Sequence, residues 1–306
     1  MAALLLVALA ALAVAAPTAS AFAGRNGDLV YGWSAIDEPD VGSFWRATKA
    51  IRLISPSGGD PRTVVGCDQR LPIAAPEAAR TCSREVFADP TVARDTARIA
   101  FDNGASLALV DPDGSDLQVL PAQSPDDGEP AFSAGGRRLA FSAGPSVSGP
   151  DAASRGIWVR NLATGAVTPV AQRGSDPAWS SRNWIAFVRG GQIWRARPGG
   201  RGLEQLTRRG GISPAWSPHG TKLAFVRHGT IVVLDLRTHR LAHAIGGNSP
   251  VDVAWSPNGR SLAWTSFDGG LYVSRTNGAE LRGLFAGGVN GTMSFGAAGL
   301  DWQSRR

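Results

Sequence analysis

Short apolar runs separated by turn residues recur along the chain with one repeating grammar. Leu139-Ala140-Phe141, Trp184-Ile185-Ala186-Phe187, Leu223-Ala224-Phe225 and Leu262-Ala263-Trp264 each follow a phrase of the type Pro-Ala-Trp-Ser. That phrase reads Pro177-Ala178-Trp179-Ser180, Pro214-Ala215-Trp216-Ser217-Pro218-His219-Gly220 and Val253-Ala254-Trp255-Ser256-Pro257-Asn258-Gly259. Weaker copies stand at Pro130-Ala131-Phe132-Ser133 and at Pro90-Thr91-Val92, the latter before Ile99-Ala100-Phe101. The aromatic that ends the apolar run falls at 101, 141, 187, 225 and 264, a period of about 40 residues. No helical periodicity runs through these units, whereas short β-rich runs bounded by Gly, Pro, Asn and Asp do. The phrase predicts a first strand, Ser-Pro-Asn-Gly a tight turn, and the Leu-Ala-Phe run a second strand. A third strand follows at Leu107–Val110, Ile157–Val159, Ile193-Trp194, Ile231–Leu234 and Leu271–Val273, and a poorer fourth strand at segments such as Glu204–Thr207. Four strands in about 40 residues is the signature of a propeller blade, a unit that buries its apolar faces only against its neighbours.

At these motifs the chain resembles the TolB-like (WD-repeat-like) β-propeller family, whose consensus is a Pro-x-Trp-Ser-Pro-Asp-Gly phrase followed by an apolar strand. His219 and Asn258 stand where that consensus has Asp. The resemblance covers nearly everything after residue 24, most clearly in the last three units. It implies a docking platform. Full TolB proteins also carry an N-terminal α/β domain for which this sequence leaves no room, so membership of a Tol-type translocation complex is not implied.

The two ends read as halves of one blade. Leu300-Asp301-Trp302-Gln303 is a first strand with nothing after it, and Asn26–Tyr31 is a turn and second strand with no first strand before it. Ile51–Ile54 is the third strand of the same unit. The expectation is an all-β, six-bladed β-propeller of four-stranded blades, a single domain over 24–306, closed by N- and C-terminal strands that share a blade. Closure removes the open sheet edges that invite aggregation.

Composition adds little to the fold. Thirty-eight Gly and 20 Pro suit a turn-rich all-β chain, and 43% hydrophobic residues suffice for a core. Residues 4–16 form an apolar run followed by small residues ending Ala21-Phe22-Ala23, which predicts a secretory signal peptide over 1–23. The run is short for a bilayer span, and no later segment qualifies, so the mature chain is expected to be secreted or periplasmic, without a membrane span. In that setting the only two cysteines, Cys67 and Cys82, are expected to form a disulfide. The formal net charge of +6 raises nucleic acid as a partner, but the arginines are scattered along the sequence and export argues against it. A solvated basic surface is expected, with weak attraction to anionic envelope polymers as the alternative.

Nucleophilic catalysis has no footing: no Gly-x-Ser-x-Gly elbow, phosphate loop or His-Glu-x-x-His motif occurs. His219, His228, His239 and His243 fall on different turns and edges and do not predict a shared metal. One constellation stands out. Just before the Pro-x-Trp phrase come Asp89, Glu129, Asp176, Ser213 and Asp252, four of five acidic. A propeller's first strand lines its channel, so these acids are expected to ring one channel mouth. They either cap backbone N–H groups, or bind a hard cation such as Ca²⁺ or a basic peptide. Loops are expected to be long on the same face, at about 32–50, 66–88 and 143–155. The first would carry Trp33, Phe44 and Trp45 among mixed charges, for a protein or glycan contact or as a lid. The reading at this level is a monomeric, non-enzymatic module that binds an envelope or extracellular protein or peptide. The alternative is a metal-dependent, carbohydrate-active or lactone-hydrolysing propeller enzyme with its site in the channel.

Overall fold

The computed structural model describes residues 25–37, 44–72, 88–104, 106–144, 155–247, 249–285 and 297–305. Among them there are 24 strands and no helix. They form six four-stranded sheets, each an antiparallel blade. Blade 2 runs β4 (Ala88–Val92), β5 (Ile99–Asp102), β6 (Leu107–Val110) and β7 (Gln118–Val119). Blade 3 is β8 (Gly128–Phe132), β9 (Arg138–Ala143), β10 (Gly156–Asn161) and β11 (Val167–Ala171). Blade 4 is β12 (Ser175–Trp179), β13 (Ile185–Arg189), β14 (Gln192–Ala196) and β15 (Glu204–Gln205). Blade 5 is β16 (Ile212–Trp216), β17 (Lys222–Arg227), β18 (Thr230–Asp235) and β19 (Arg240–Gly246). Blade 6 is β20 (Pro250–Trp255), β21 (Ser261–Ser266), β22 (Leu271–Arg275) and β23 (Arg282–Phe285).

Blade 1 closes the ring as the sequence predicts. Its order is β24 (Ala297–Arg305), β1 (Arg25–Asp37), β2 (Phe44–Ile54), β3 (Arg62–Pro72). The C-terminal strand pairs with the N-terminal one at Leu29↔Trp302, Val30↔Asp301 and Tyr31↔Leu300, and the Trp302 indole donates to the Gly27 carbonyl at 3.0 Å.

Burial follows the repeat. Phe101, Phe141, Phe187, Phe225 and Trp264 are all fully buried, and so is Tyr31. Tyr31 faces Leu300 across β24 as Trp264 faces Val253 across β20, so it is the sixth member of the aromatic series. The phrase tryptophans Trp179, Trp216 and Trp255 are buried against the preceding blade, where they form inter-blade core. Trp216 packs with Ala186 and Ile193 of blade 4, and its indole donates to the Ala178 carbonyl there at 3.0 Å. Each such side chain contributes about 1.5–3 kcal/mol of apolar burial, and the stacking is what joins blade to blade.

The first blade departs from expectation. The segment expected to be a loop at 32–50 is mostly strand: β1 runs on to Asp37, β2 starts at Phe44, and the two stay paired out to Asp37↔Arg46. β3 follows alongside as far as Phe44↔Pro72. The aromatic and β-branched residues of 44–54 favour pleated pairing, and the mixed charges in the sequence of this stretch disguise it as loop. Trp33 is therefore a strand residue and not a loop aromatic. It is half-buried, edge-on to Tyr31 at 6.5 Å and to Phe285 at 5.7 Å, with the Arg52 guanidinium 4.9 Å from its ring. Phe44 and Trp45 lie on β2, so the three aromatics do not share a loop; the side chains of the latter two lie outside the described residues. Cys67 falls on β3, but the expected Cys67–Cys82 disulfide lies outside the described residues, as do the 1–23 segment and most of the 143–155 insertion.

Candidate functional site

The first strands of all six blades line a central cavity of about 460 Å³. The acids singled out in the sequence all reach it, together with two charged residues that were not singled out. Five carboxylates (Asp89, Glu129, Asp176, Asp252 and Asp301) and one guanidinium, Arg94, line it.

Backbone geometry aims the ring. Asp89, Glu129, Asp176 and Ser213 have φ between 47° and 54°, in the left-handed region. Each sits in a register shift of its first strand, at Ala88/Thr91, Gly128/Ala131, Ser175/Ala178 and Ile212/Ala215. A β-bulge of this kind re-aims a side chain, here out of the sheet alternation and toward the channel. Left-handed φ costs an ordinary residue roughly 1–2 kcal/mol, and short polar side chains tolerate it best. Blade 6 reaches the same place with a bulge between Pro250 and Asp252. In blade 1 the equivalent residue is Gly299, with φ at 67°. A Cβ there would stand 2.3 Å from the Asp89 Cα, so no acid fits and glycine is required.

The carboxylates stitch neighbouring blades together. The Asp176 N–H donates to the Glu129 carboxylate at 2.6 Å, and the Ser213 N–H donates to the Asp176 carboxylate at 2.7 Å. The Ser213 hydroxyl donates to the Val251 carbonyl at 2.8 Å. Across the closure, the Val92 N–H and the Thr91 hydroxyl donate to Asp301 at 2.8 and 3.1 Å. The acids ring the mouth, and Glu129, Asp176 and Asp301 cap backbone N–H groups of the neighbouring blade.

Hydrogen bonds do not neutralise the site. Burial pushes the Asp89 carboxyl up to about 7, with the charges of Glu129 and Asp252 adding to the shift. Asp252 also rises to about 7, chiefly by burial, against the hydrogen bond from the Val253 N–H. Asp176 is raised well above the ordinary carboxylate range by burial and by Glu129, Asp252 and Asp89. Asp301 is raised by burial too, against its hydrogen bonds and the charge of Arg94. Asp102, beside the mouth, rises to about 6. Clustered acids whose ionisation is this costly favour a cationic ligand over water. Among the described residues no three of His, Cys, Asp and Glu converge closely enough to hold a metal ion.

Asp301 and Arg94 had a signal in the sequence for one of them. Asp301 fills the slot held by Thr91, Ala131, Ala178, Ala215 and Ala254 in the other phrases. A charge in a slot otherwise kept small marks a specific contact. Arg94 follows β4 in a degenerate unit and carries no comparable mark.

No protein-family model matches the chain. Over 151 residues it is 34% identical to a protein TolB homolog of Chlorobium luteolum, a stretch covering 45% of this chain and 31% of that protein. The chain thus aligns with about a third of the length of that curated relative. Among solved structures it is similar to TolB from Acinetobacter baumannii, with TM-score 0.67 and 18% identity, over 94% of this chain and 68% of that one. A nidogen/laminin complex gives TM-score 0.60 at 10% identity, over 90% and 97% of the two chains. An oligogalacturonate lyase in complex with manganese gives 0.51 at 12%, over 78% and 72%. Identities this low speak for the shared fold and nothing beyond it. The chain is a six-bladed β-propeller, similar in fold to the propeller of TolB and similar in sequence to a TolB homolog over part of its length.

Proposed function

We propose that this protein is an exported, secreted or periplasmic, non-enzymatic module that binds a protein or peptide through its channel mouth. The ligand is a basic segment: one or two Lys or Arg side chains enter the ring of Asp89, Glu129, Asp176 and Asp252. The observation that carries the reading is the electrostatic debt of that ring, five lining carboxylates against the single Arg94, with several of the acids raised toward neutrality. An entering ammonium or guanidinium satisfies the acids without disturbing the N–H bonds that they already accept. The docking bias implied by the TolB-like repeats supports it, and the signal-like residues 1–23 support export, where Cys67 and Cys82 would be oxidised.

Calorimetry with an eight-residue Arg/Lys-rich peptide and its Asp/Glu counterpart tests this. Binding of the basic peptide alone is expected, tightening between pH 5 and 8 as the acids ionise and weakening at least tenfold in Asp89→Asn/Asp252→Asn. No heat with the basic peptide at pH 8, or equal binding by the variant, refutes it.

A further inference from the structure

Antiparallel blades send their first-to-second and third-to-fourth turns out of one end of the ring and the acid positions out of the other. The end opposite the acids carries the charge that the linear sequence scatters. Arg137 (β8–β9 turn), Arg182 (β12–β13), Arg201 (β14–β15), Lys222 (start of β17), Arg237 (β18–β19) and Arg260 (β20–β21) are all exposed there, in four consecutive blades. Carboxylates at this end of blades 4 to 6 are few and engaged. Glu204 pairs with Arg195 at 2.6 Å and Glu280 with Arg275 at 2.9 Å. Asp235 accepts the backbone N–H groups of Arg237 and Thr238. None of the six basic residues makes a direct salt bridge to a carboxylate of the described residues, although the charge of Arg237 acts on neighbouring Asp235.

The platform is held in shape. The Ser181 hydroxyl donates to the Pro218 carbonyl at 2.8 Å and the Arg182 guanidinium to the His219 carbonyl at 2.9 Å, tying blade 4 to blade 5. Within blade 4, the Arg197 guanidinium bridges the two turns through the Arg182 carbonyl at 2.7 Å. A second feature repeats with the turns. Leu203, Leu241 and Leu281, each within one residue of the start of the fourth strand in blades 4, 5 and 6, are 45%, 50% and 49% exposed. Each therefore stands at the rim of this same end, interleaved with the arginines.

We infer that this face docks peripherally on an anionic lipid bilayer, with the basic turns on the headgroups and the three leucines at the acyl boundary. Basic residues alone would serve any polyanion. The leucines decide between partners: they gain by leaving water for a bilayer interface and gain nothing on a nucleic-acid backbone. Docked so, the protein turns its acid ring away from the membrane. The inference does not depend on what that ring binds.

Full-length protein is mixed with vesicles of phosphatidylglycerol and phosphatidylcholine, or of phosphatidylcholine alone, and sedimented. Binding to the anionic vesicles at low salt, released at high salt, is expected in excess over the neutral vesicles. The neutral vesicles report any insertion by the apolar residues 4–16. Arg201→Gln/Lys222→Gln/Arg237→Gln is expected to lose about a hundredfold in partition, since each basic residue near an anionic surface is worth about fivefold. No side-chain hydrogen bond or ion pair of the described residues is lost in it, and Arg137→Gln/Arg260→Gln is a second pair should it fold poorly. Leu203→Ser/Leu241→Ser should weaken vesicle binding while keeping its salt dependence. Equal binding to both vesicle types, or unchanged binding by the charge variants, overturns the inference. So does tight binding to a DNA duplex with a leucine variant that still binds vesicles as the parent does, which would make the face a general polyanion site.

Discussion

The backbone N–H of Ser213 donates to the carboxylate of Asp176 at 2.7 Å, across the boundary between blades 4 and 5. One side chain thus does two things that oppose each other. It holds the neighbouring strand, and it adds a charge to a crowded ring. Asn at position 176 keeps the acceptor and removes the charge; Ala removes both and leaves a buried N–H without its partner, at about 1–3 kcal/mol. Asp176→Asn is therefore expected to be the more stable of the two variants by that amount, and more stable than the parent at pH 8. Urea melts of the three proteins check this. Equal midpoints for Asn and Ala would mean that the inter-blade bond contributes nothing.

Stability should fall as pH rises. The carboxyls of Asp89 and Asp252 sit at about 7 in the folded chain against an ordinary 3.8. Between those values the folded state holds more protons than the unfolded one, so unfolding free energy decreases with pH. The penalty is absent below about pH 4 and fully present above about pH 7, at about 2–4 kcal/mol for such a group. Asp252→Asn should flatten the slope of melting temperature against pH between 5 and 8. A parent protein equally stable at both pH values would mean that the ring is more hydrated than its burial implies.

Ring closure rests on one strand. β24 supplies Trp302 and Leu300 to the core shared with blade 6, and Asp301 accepts two hydrogen bonds from blade 2. Removing residues 300–306 deletes all of these and leaves the facing edge of β1 unpaired. A loss of more than 4 kcal/mol, with aggregation, is the expected outcome, by the sum of a Trp and a Leu burial and the orphaned partners. An unchanged thermal melt would refute closure by the termini.

The blade grammar was legible because every complete unit repeats the same burial problem and solves it with the same residues. Tyr31 was not legible as the sixth aromatic, since the long paired strands of blade 1 put 70 positions between it and Phe101 where other units have about 40. The acids were visible as a column in the sequence, but the bulges that turn Asp89, Glu129 and Asp176 toward the channel are a matter of strand pairing. Their left-handed φ is only weakly marked in the residue type, since Asp tolerates it but Glu is no special case. Trp33 looked like a loop residue because the stretch after it is rich in charges, and only the register with Ala50 places it beside Arg52 and Phe285. Arg182, Lys222 and Arg260 look scattered in sequence because equivalent turns recur every 40 residues or so; the ring gathers them on one face.

Gly211 offers a test of how closely the blades approach. A Cβ on it would meet Ile193 Cγ1 at 2.8 Å and Phe225 Cδ2 at 3.0 Å. Gly174, one blade earlier, would meet Ile157 Cγ1 and Phe187 Cδ2 at the same two distances. Both are glycines for lack of room, since neither has positive φ. Their neighbours are fully buried and cannot withdraw without disturbing the aromatic series. Gly211→Ala should therefore cost about 1–3 kcal/mol through overpacking, and Gly174→Ala about the same. The two sites touch different side chains, so the double variant should lose the sum to within about 0.5 kcal/mol. Gly229, with open space around its Cβ position and φ of 68°, is the control: alanine there pays only backbone strain, about 1 kcal/mol. Chemical denaturation of the four variants separates the two causes. If Gly211→Ala proves no worse than Gly229→Ala, the blades are looser than these contacts require, and the aromatic series is not what sets their spacing.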